Sequence, residues 1–284
     1  MDSIVITGVS SGIGLSAAEI LCESGYMIYG SVRKEKDADK LYKKFPKNFK
    51  PLVFDVRDES AIKEASQFVE NDLSGGGKLV GLVNNSGIAL GGPFKHLSTD
   101  IFRKQLEVNV LGVVSVTLNF LELLGAYKNS SHQGKIIMIS SVSGHRAYPY
   151  MSPYSASKFA LEGMSDSLRR ELMMYGVDVI LIEPGPVQSE IWNKAPKKED
   201  NPFIGTDFEE SLKAFYEQVV EKAQDPLPAD IIGNAIKDII ENQNPKTRYV
   251  FTKNKFKEYT LPGILSDRKL DKIMAKRLKI KKSN

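Results

Sequence analysis

Cysteine is nearly absent. Cys22 is the single one in 284 residues, which excludes an internal disulfide, and no metal-ligand spacing surrounds it. A reducing compartment fits. Long apolar runs are missing too: none reaches the roughly 18–20 residues needed to span a bilayer. Strand-like residues begin at Ser3, directly after Met1 and Asp2, leaving no room for a basic leader and an apolar signal segment. The expected location is cytoplasmic. Excess charge of one sign is lacking in the body of the chain. The formal net charge is +4, but Asp267 to Lys282 alone carries +6, leaving −2 for the rest. Nucleic-acid binding calls for a basic stripe across the folded body, so no nucleic-acid partner is expected. With 42% hydrophobic and 26% charged residues, 22 Gly and 13 Pro, the chain is also not disordered, collagenous or a coiled coil.

What is present is alternation. Short β-branched runs at Ser3 to Ile6, Met27 to Val32, Leu52 to Phe54, Leu79 to Val83, Lys135 to Ile139, Val177 to Ile182 and Arg248 to Phe251 read as strands. Several are apolar without alternation, as strands buried on both faces should be. Between them, Ile13 to Ser24, Glu59 to Leu73, Thr99 to Gly125, Ser152 to Tyr175 and Ala229 to Asn242 have helical length and spacing, with N-cap groups at Asp58 and Ser98. This is the pattern of βαβ units on a parallel sheet. It runs without a linker to about residue 252, so one domain is expected over 1–252, followed by a basic extension over 253–284. The rhythm breaks after Pro184, where Gly185, Pro186, Pro196, Pro202 and Gly205 interrupt regular structure. A loop of that length is expected to act as a lid, at about 187–227.

The first strand leads into Thr7-Gly8-Val9-Ser10-Ser11-Gly12-Ile13-Gly14, and a helix follows at once. Such a turn lets backbone N–H groups meet a pyrophosphate. Its Gly-x-x-x-Gly-x-Gly spacing differs from the Gly-x-Gly-x-x-Gly fingerprint, and on its own it is a weak signal, with a plain structural turn as the alternative. Further along come Asn84-Asn85-Ser86-Gly87 after the fourth strand, Asn109, Ser141 after the fifth strand, and Tyr154-Ser155-Ala156-Ser157-Lys158 opening a long helix.

In this order and context these motifs resemble the short-chain dehydrogenase/reductase family, over roughly the first 250 residues. The resemblance implies a doubly wound, Rossmann-type α/β sheet with helices on both faces. It also implies a catalytic set of Asn109, Ser141, Tyr154 and Lys158, with Ser141 thirteen residues before Tyr154 as the family pattern has it. Ser86 departs from the more usual Ala. The residue types suit carbonyl reduction by hydride transfer: Tyr154 can give a proton and Ser141 can hydrogen-bond the oxygen on which negative charge develops. A free tyrosine has a pKa of roughly 10. Lys158, four residues on along one helix face, brings a cation that favours the phenolate. The resemblance adds that Lys158 holds the nicotinamide ribose and that Asn109 anchors a relay water.

The cofactor expectation rests on the end of the second strand, where an acid meets the ribose of NAD and an arginine the 2′-phosphate of NADP. Val32 stands at the family's usual acid position and Arg33 follows. A guanidinium offers planar phosphate recognition, so NADP(H) is favoured, with Ser11 assisting. NAD(H), through Glu35 or Asp37, is the alternative. By resemblance Asp55 and Val56 contact the adenine, Asn85, Ser86 and Gly87 line the cofactor, and Pro184, Gly185, Val187 and Ser189 form the nicotinamide turn.

Ile191, Trp192, Pro202, Phe203, Ile204 and Phe208, with His145, Tyr148, Tyr150 and Met151, suit a bulky apolar substrate or simply pack the lid onto the body. Arg33, the Ser10-Ser11 pair and the long C-terminal extension resemble the hydroxysteroid and retinol dehydrogenase branch, implying a lipophilic alcohol or ketone. Small aliphatic or aromatic carbonyls are the alternative. A non-catalytic dinucleotide-binding redox sensor is the rival of another class. In the tail, Leu270, Ile273, Met274 and Leu278 lie at helical spacing among lysines and arginines. Packing on the body is the expectation there and a peripheral membrane contact the alternative. The family resemblance implies a homodimer or homotetramer. No metal is expected.

Overall fold

A computed structural model describes residues 1–189, 202–220 and 225–281. Within them one sheet holds β1 (Asp2–Ile6), β2 (Met27–Val32), β3 (Phe49–Val53), β4 (Lys78–Asn84), β5 (Lys135–Ile139), β6 (Asp178–Pro184) and β7 (Arg248–Phe251). Neighbouring strands are parallel, in the order β3-β2-β1-β4-β5-β6-β7. The chain winds outward from β1 to β3, crosses back to β4, and winds outward the other way. Its direction reverses between β1 and β4, and a crevice opens there beyond the carboxyl ends of the strands.

Parallel pairing requires long crossovers. These are supplied by α1 (Gly12–Glu23), α2 (Glu35–Lys44), α3 (Glu59–Leu73), α4 (Thr99–Leu106), α5 (Gly112–Phe120), α6 (Ser152–Leu172), α7 (Glu209–Phe215) and α8 (Ala229–Glu241). Successive strand residues point to opposite faces. Ile4 and Ile6 join Leu21 of α1 and Ile236 of α8 in one core layer. Val5 and Leu82 join Ile62 of α3, Val116 of α5 and Leu161 of α6 in the other. The expected doubly wound sheet is therefore present. No helix of the described residues is long and apolar enough to cross a membrane.

Several elements differ from the sequence expectation. Helix α2 was missed because Glu-Lys-Asp-Ala-Asp-Lys-Leu-Tyr-Lys-Lys has so few apolar residues, of which only Ala38 and Leu41 are buried. Strand β3 starts at Phe49 rather than Leu52, and Pro51 is accommodated because β3 is an edge strand. The helix expected over Thr99 to Gly125 is interrupted by a π turn at Glu107–Leu111 and ends at Phe120. Asp58 caps α3 by accepting from the Ala61 N–H at 3.0 Å, whereas the Ser98 side chain makes no cap. A final helix, α9 (Asp267–Arg277), follows one π turn at Phe256–Thr260 and a single α turn at Leu261–Ile264.

Candidate active site

A cleft of about 460 Å³ follows the crevice across the carboxyl edge of the sheet. At its centre the turn after β1 meets the turn after β4. Gly8 (φ +74°) and Gly12 (φ +59°) take the left-handed conformation that favours glycine. A Cβ on Gly14 would lie 2.3 Å from the Gly8 carbonyl oxygen and 2.4 Å from Asn85 Nδ2, so α1 can approach the turn only because Gly14 has no side chain. Asn85 Nδ2 donates to the Thr7 carbonyl at 2.8 Å, and the Thr7 hydroxyl accepts from the N–H groups of Asn85 and Ser86 at 2.9 and 3.0 Å. Thr7 and Gly14 were expected to touch a cofactor. Neither lines the cleft, and they act from behind by fixing its wall. Gly8, Ser10, Ser11, Gly12 and Ile13 do line it, as do Asn85, Ser86 and Gly87 across from them.

The donor set suits a dinucleotide. Ser11 is the N-cap of α1, yet its hydroxyl makes no cap bond, which leaves the first-turn amides to face the cleft, where phosphate oxygens are favoured. Beyond β2 and β3 the lining includes Arg33, Asp55 and Val56, as expected, and also Arg57. Arg57 grips Asp55 with two bonds of 2.9 Å. Hydrogen bonding from Arg57, helped by the charge of Arg33, outweighs burial and holds the Asp55 carboxyl below its ordinary range. Arg57 was missed from the sequence, although the Asp55-x-Arg57 spacing was there to read. Glu35 and Asp37, the residues of the NAD alternative, start α2 and do not line the cleft.

At the other end Ser141, Tyr154 and Lys158 converge. Ser141 follows β5, accepts from the Ser143 N–H at 3.1 Å and donates at 3.4 Å to the Pro184 carbonyl. That long bond leaves its proton only loosely engaged. Lys158 donates to the Ile139 carbonyl at 2.7 Å and sits 5.8 Å from the Tyr154 ring centre. Burial pushes the Lys158 ammonium down to about 8, against the charge of Glu162. Burial also pushes the Tyr154 phenol up, with the Ser141 hydroxyl acting in the opposite direction. The Lys158 charge was expected to lower this group, but in the folded chain burial is the larger cause and the Ser141 hydroxyl opposes it. Asn109 lies in the π turn, 1% exposed. Its amide donates to Ile88 O (2.9 Å) and Ser157 Oγ (3.1 Å) and accepts from Ile88 N–H (2.9 Å). Pro184, Gly185, Val187 and Ser189 complete this end.

The segment expected as a lid leaves and returns at one point: Val187 and Leu227 form a parallel bridge, with Gln188 N–H donating to Leu227 O at 2.9 Å. Ile191, Trp192 and Pro196 lie outside the described residues. Of the other residues proposed to line a substrate pocket, Tyr148 and Met151 do so. Phe203 and Phe208 instead pack near His96, with ring centres 6.1 and 5.7 Å away, and Ile204 is exposed. Tyr150 bonds Ser211 Oγ at 2.5 Å and meets Phe215 edge-on, which ties α7 to the loop before α6. The tail was expected to pack on the body, and α9 does so at the cleft. Arg277 lines it and donates through Nε to Gln218 Oε1 at 2.9 Å, while Leu278 is buried.

The two ends limit what the cleft can do: guanidinium groups suit phosphate at one, and at the other a phenol and a hydroxyl stand beside a buried ammonium. Those are the means for moving a hydride and a proton between a bound dinucleotide and a carbonyl or alcohol, the work of a nicotinamide-dependent oxidoreductase. The chain belongs to the short-chain dehydrogenase family, whose model, described as short chain dehydrogenase, matches residues 2–200. It is 42% identical over 279 residues, 98% of either chain, to an NADPH-dependent 3-dehydrocapnine reductase of Ornithobacterium rhinotracheale. It is 32% identical over 250 residues, 86% of either chain, to a 3-ketodihydrosphingosine reductase of Bacteroides thetaiotaomicron. The fold is shared with a short chain dehydrogenase of Burkholderia cenocepacia in complex with NADP, at TM-score 0.71 and 22% identity over 97% of this chain and 96% of that one.

Proposed function

We propose that this chain uses NADPH to reduce the ketone of a lipophilic substrate, or runs the reverse oxidation. The observation that carries the reading is the convergence of Ser141, Tyr154 and Lys158 at the end of a cleft whose other end holds Arg33 and Arg57. When bound, the reduced nicotinamide supplies the hydride. Tyr154 gives its proton to the carbonyl oxygen, and Ser141 turns its loosely held hydroxyl hydrogen toward the same atom. The cation on Lys158 stabilises the phenolate left behind. Asn109, pinned to Ile88 and Ser157, holds the break between α4 and α5 against α6 and supports a relay water.

NADPH is supported by Arg33 and Arg57, by the absence of an acid from the end of β2, and by the name of the Ornithobacterium relative. A ketone substrate is supported by the two relatives whose names carry an oxo group at the third carbon. The 187–227 segment serves as the substrate lid, with Tyr148 and Met151 as apolar walls. The tail covers the cleft rather than a membrane, a reading supported by buried Leu278 and the Arg277 to Gln218 bond. A homo-oligomer is supported by Leu111 in the π turn, Leu118 on α5 and Phe159 on α6, 60%, 63% and 46% exposed. A cytoplasmic location is supported by Cys22 being the single cysteine of the chain, which leaves no internal disulfide.

The test is the initial rate of cofactor oxidation on long-chain 3-oxo compounds, steroid ketones, retinal and small aldehydes, with NADPH and NADH in parallel. Turnover of a lipophilic ketone with NADPH preferred supports the reading. Preference for NADH removes the Arg33 argument, and binding of NADPH without turnover of any carbonyl favours the redox-sensor alternative.

A further inference from the structure

We propose that Glu162 is a positioning residue of this site: one turn beyond Lys158 on the same helix face and held by Arg248, its carboxylate keeps Lys158 a cation while Tyr154 gives up its proton. The inference rests on the reading of Tyr154 and Lys158 as the reacting pair.

Tyr154, Lys158 and Glu162 are spaced by four along α6 and share one face. The Glu162 side chain is only 8% exposed, and the loop carrying Ser141 lies directly on it. A Cβ on Gly144 would stand 2.9 Å from Glu162 Cγ and 3.2 Å from its Oε1, so glycine is what permits the contact. From β7, Arg248 Nη2 reaches Glu162 Oε2 at 3.1 Å and Asp166 Oδ1 at 2.9 Å, and its Nε lies 3.2 Å from Glu183 Oε1. This planar fork fixes the carboxylate. It also supplies the cation that His145, Glu162 and Glu183 would otherwise seek from a metal.

The remaining groups facing the pair are Glu183, His145 and Asp166. Glu183 on β6 is 0% exposed, and its carboxyl is pushed up by burial and then by the charge of Glu162, against His145 and Tyr259. His145, on the loop after Ser141, is 3.1 Å from Glu183 Oε1 and 3.6 Å from Glu162 Oε2. Asp166 is further occupied by Arg169. Glu162 Oε1 accepts no hydrogen bond among the described residues, so no donor quenches its charge there. Its charge opposes the burial that lowers Lys158.

The experiment measures, for the full chain and its Glu162→Gln, Glu162→Asp and Arg248→Gln variants, the pH dependence of NADPH binding by fluorescence and of kcat for ketone reduction. In Glu162→Gln the alkaline limb of both profiles moves to lower pH by about one unit, and Glu162→Asp restores most of it. Arg248→Gln, which frees the carboxylate that the guanidinium holds, moves the limb in the same direction and by less, and the rescue by Glu162→Asp is the readout that a purely structural role does not produce. A limb unmoved in Glu162→Gln, with only a lower Tm, overturns the proposal. If that variant does not fold, Arg248→Gln decides: a limb moved to lower pH supports the proposal, and one unmoved or moved upward overturns it. Absence of any ketone turnover in the unaltered chain fails the proposed reaction alone, because the binding profile still reports on Glu162.

Discussion

The ammonium of Lys158 donates to the carbonyl of Ile139 at 2.7 Å and lies 5.8 Å from the ring centre of Tyr154, one helical turn back on α6. The end of β5 thereby orients a cation that the helix alone would leave free to swing. Because the anchor is a backbone oxygen, the arrangement does not depend on a bound substrate.

If Tyr154 supplies the proton, Tyr154→Phe lowers kcat by at least about 10²–10⁴-fold, the range for loss of a general acid. The ring still fills its place, so NADPH affinity stays within a few-fold. Initial rates and a fluorescence titration check both halves.

Arg33→Ala weakens NADPH binding by roughly 10–100-fold, in line with about 1.5–3 kcal/mol for a charge-assisted hydrogen bond. NADH binding changes little. Arg57→Ala gives a smaller loss and frees Asp55, whose carboxyl then returns toward its ordinary range. Paired titrations with the two reduced cofactors separate these effects.

Burial sets the Lys158 ammonium near 8, below the ordinary lysine value. Ketone reduction, which needs that cation, falls as pH rises through about 8. Stability responds in the opposite sense. Between about 8 and the unfolded value of about 10.4 the unfolded chain binds the proton and the folded chain does not, so this group adds stability as pH rises through that window. Chemical denaturation of the unaltered chain and Lys158→Met across pH 7–10 checks it: the unaltered chain gains on the variant as pH rises.

Gly14→Ala forces a methyl within 2.3 Å of the Gly8 carbonyl and 2.4 Å of Asn85 Nδ2, where the backbone must shift. The expected cost is about 1–3 kcal/mol, as for overpacking, together with weaker NADPH binding. Gly25→Ala is a comparison of another kind, since no atom lies within 4 Å of a Cβ there and only its φ of +90° opposes the change. Thermal melts with and without cofactor resolve the two.

A chain ending at Gly263 loses Arg277 and Leu278, and with them the bond to Gln218. KM rises while NADPH affinity changes little, because the lost contacts lie on the segment proposed as the substrate lid. Full and shortened chains pellet equally with anionic vesicles. Greater pelleting of the full chain would return the tail to the membrane alternative.

Six of the seven strands were legible to within two residues, because runs buried on both faces leave a continuous apolar signal. Helix α2 was not, since a helix resting on the sheet through only Ala38 and Leu41 is so polar that it reads as a solvated connector. The π turn at Glu107–Leu111 was hidden for another reason. It is held by the Asn109 side chain bonding Ile88 and Ser157, partners 21 and 48 residues distant. Thr7 and Gly14 read as cofactor contacts because they stand among residues that do line the cleft, and nothing in a linear motif separates a wall from its backing.

The sequence by itself determined the alternation that makes a doubly wound sheet, the glycine turn, and the Tyr154 to Lys158 spacing, since each depends on neighbours within a few turns of chain. Only the tertiary structure decided that Arg57 joins Arg33, that Arg277 reaches back to the cleft, and that Arg248 and Glu183 close around Glu162. Those contacts join residues far apart in the chain, and burial sets their charge states. Neither the distances nor the desolvation exists until the sheet has formed.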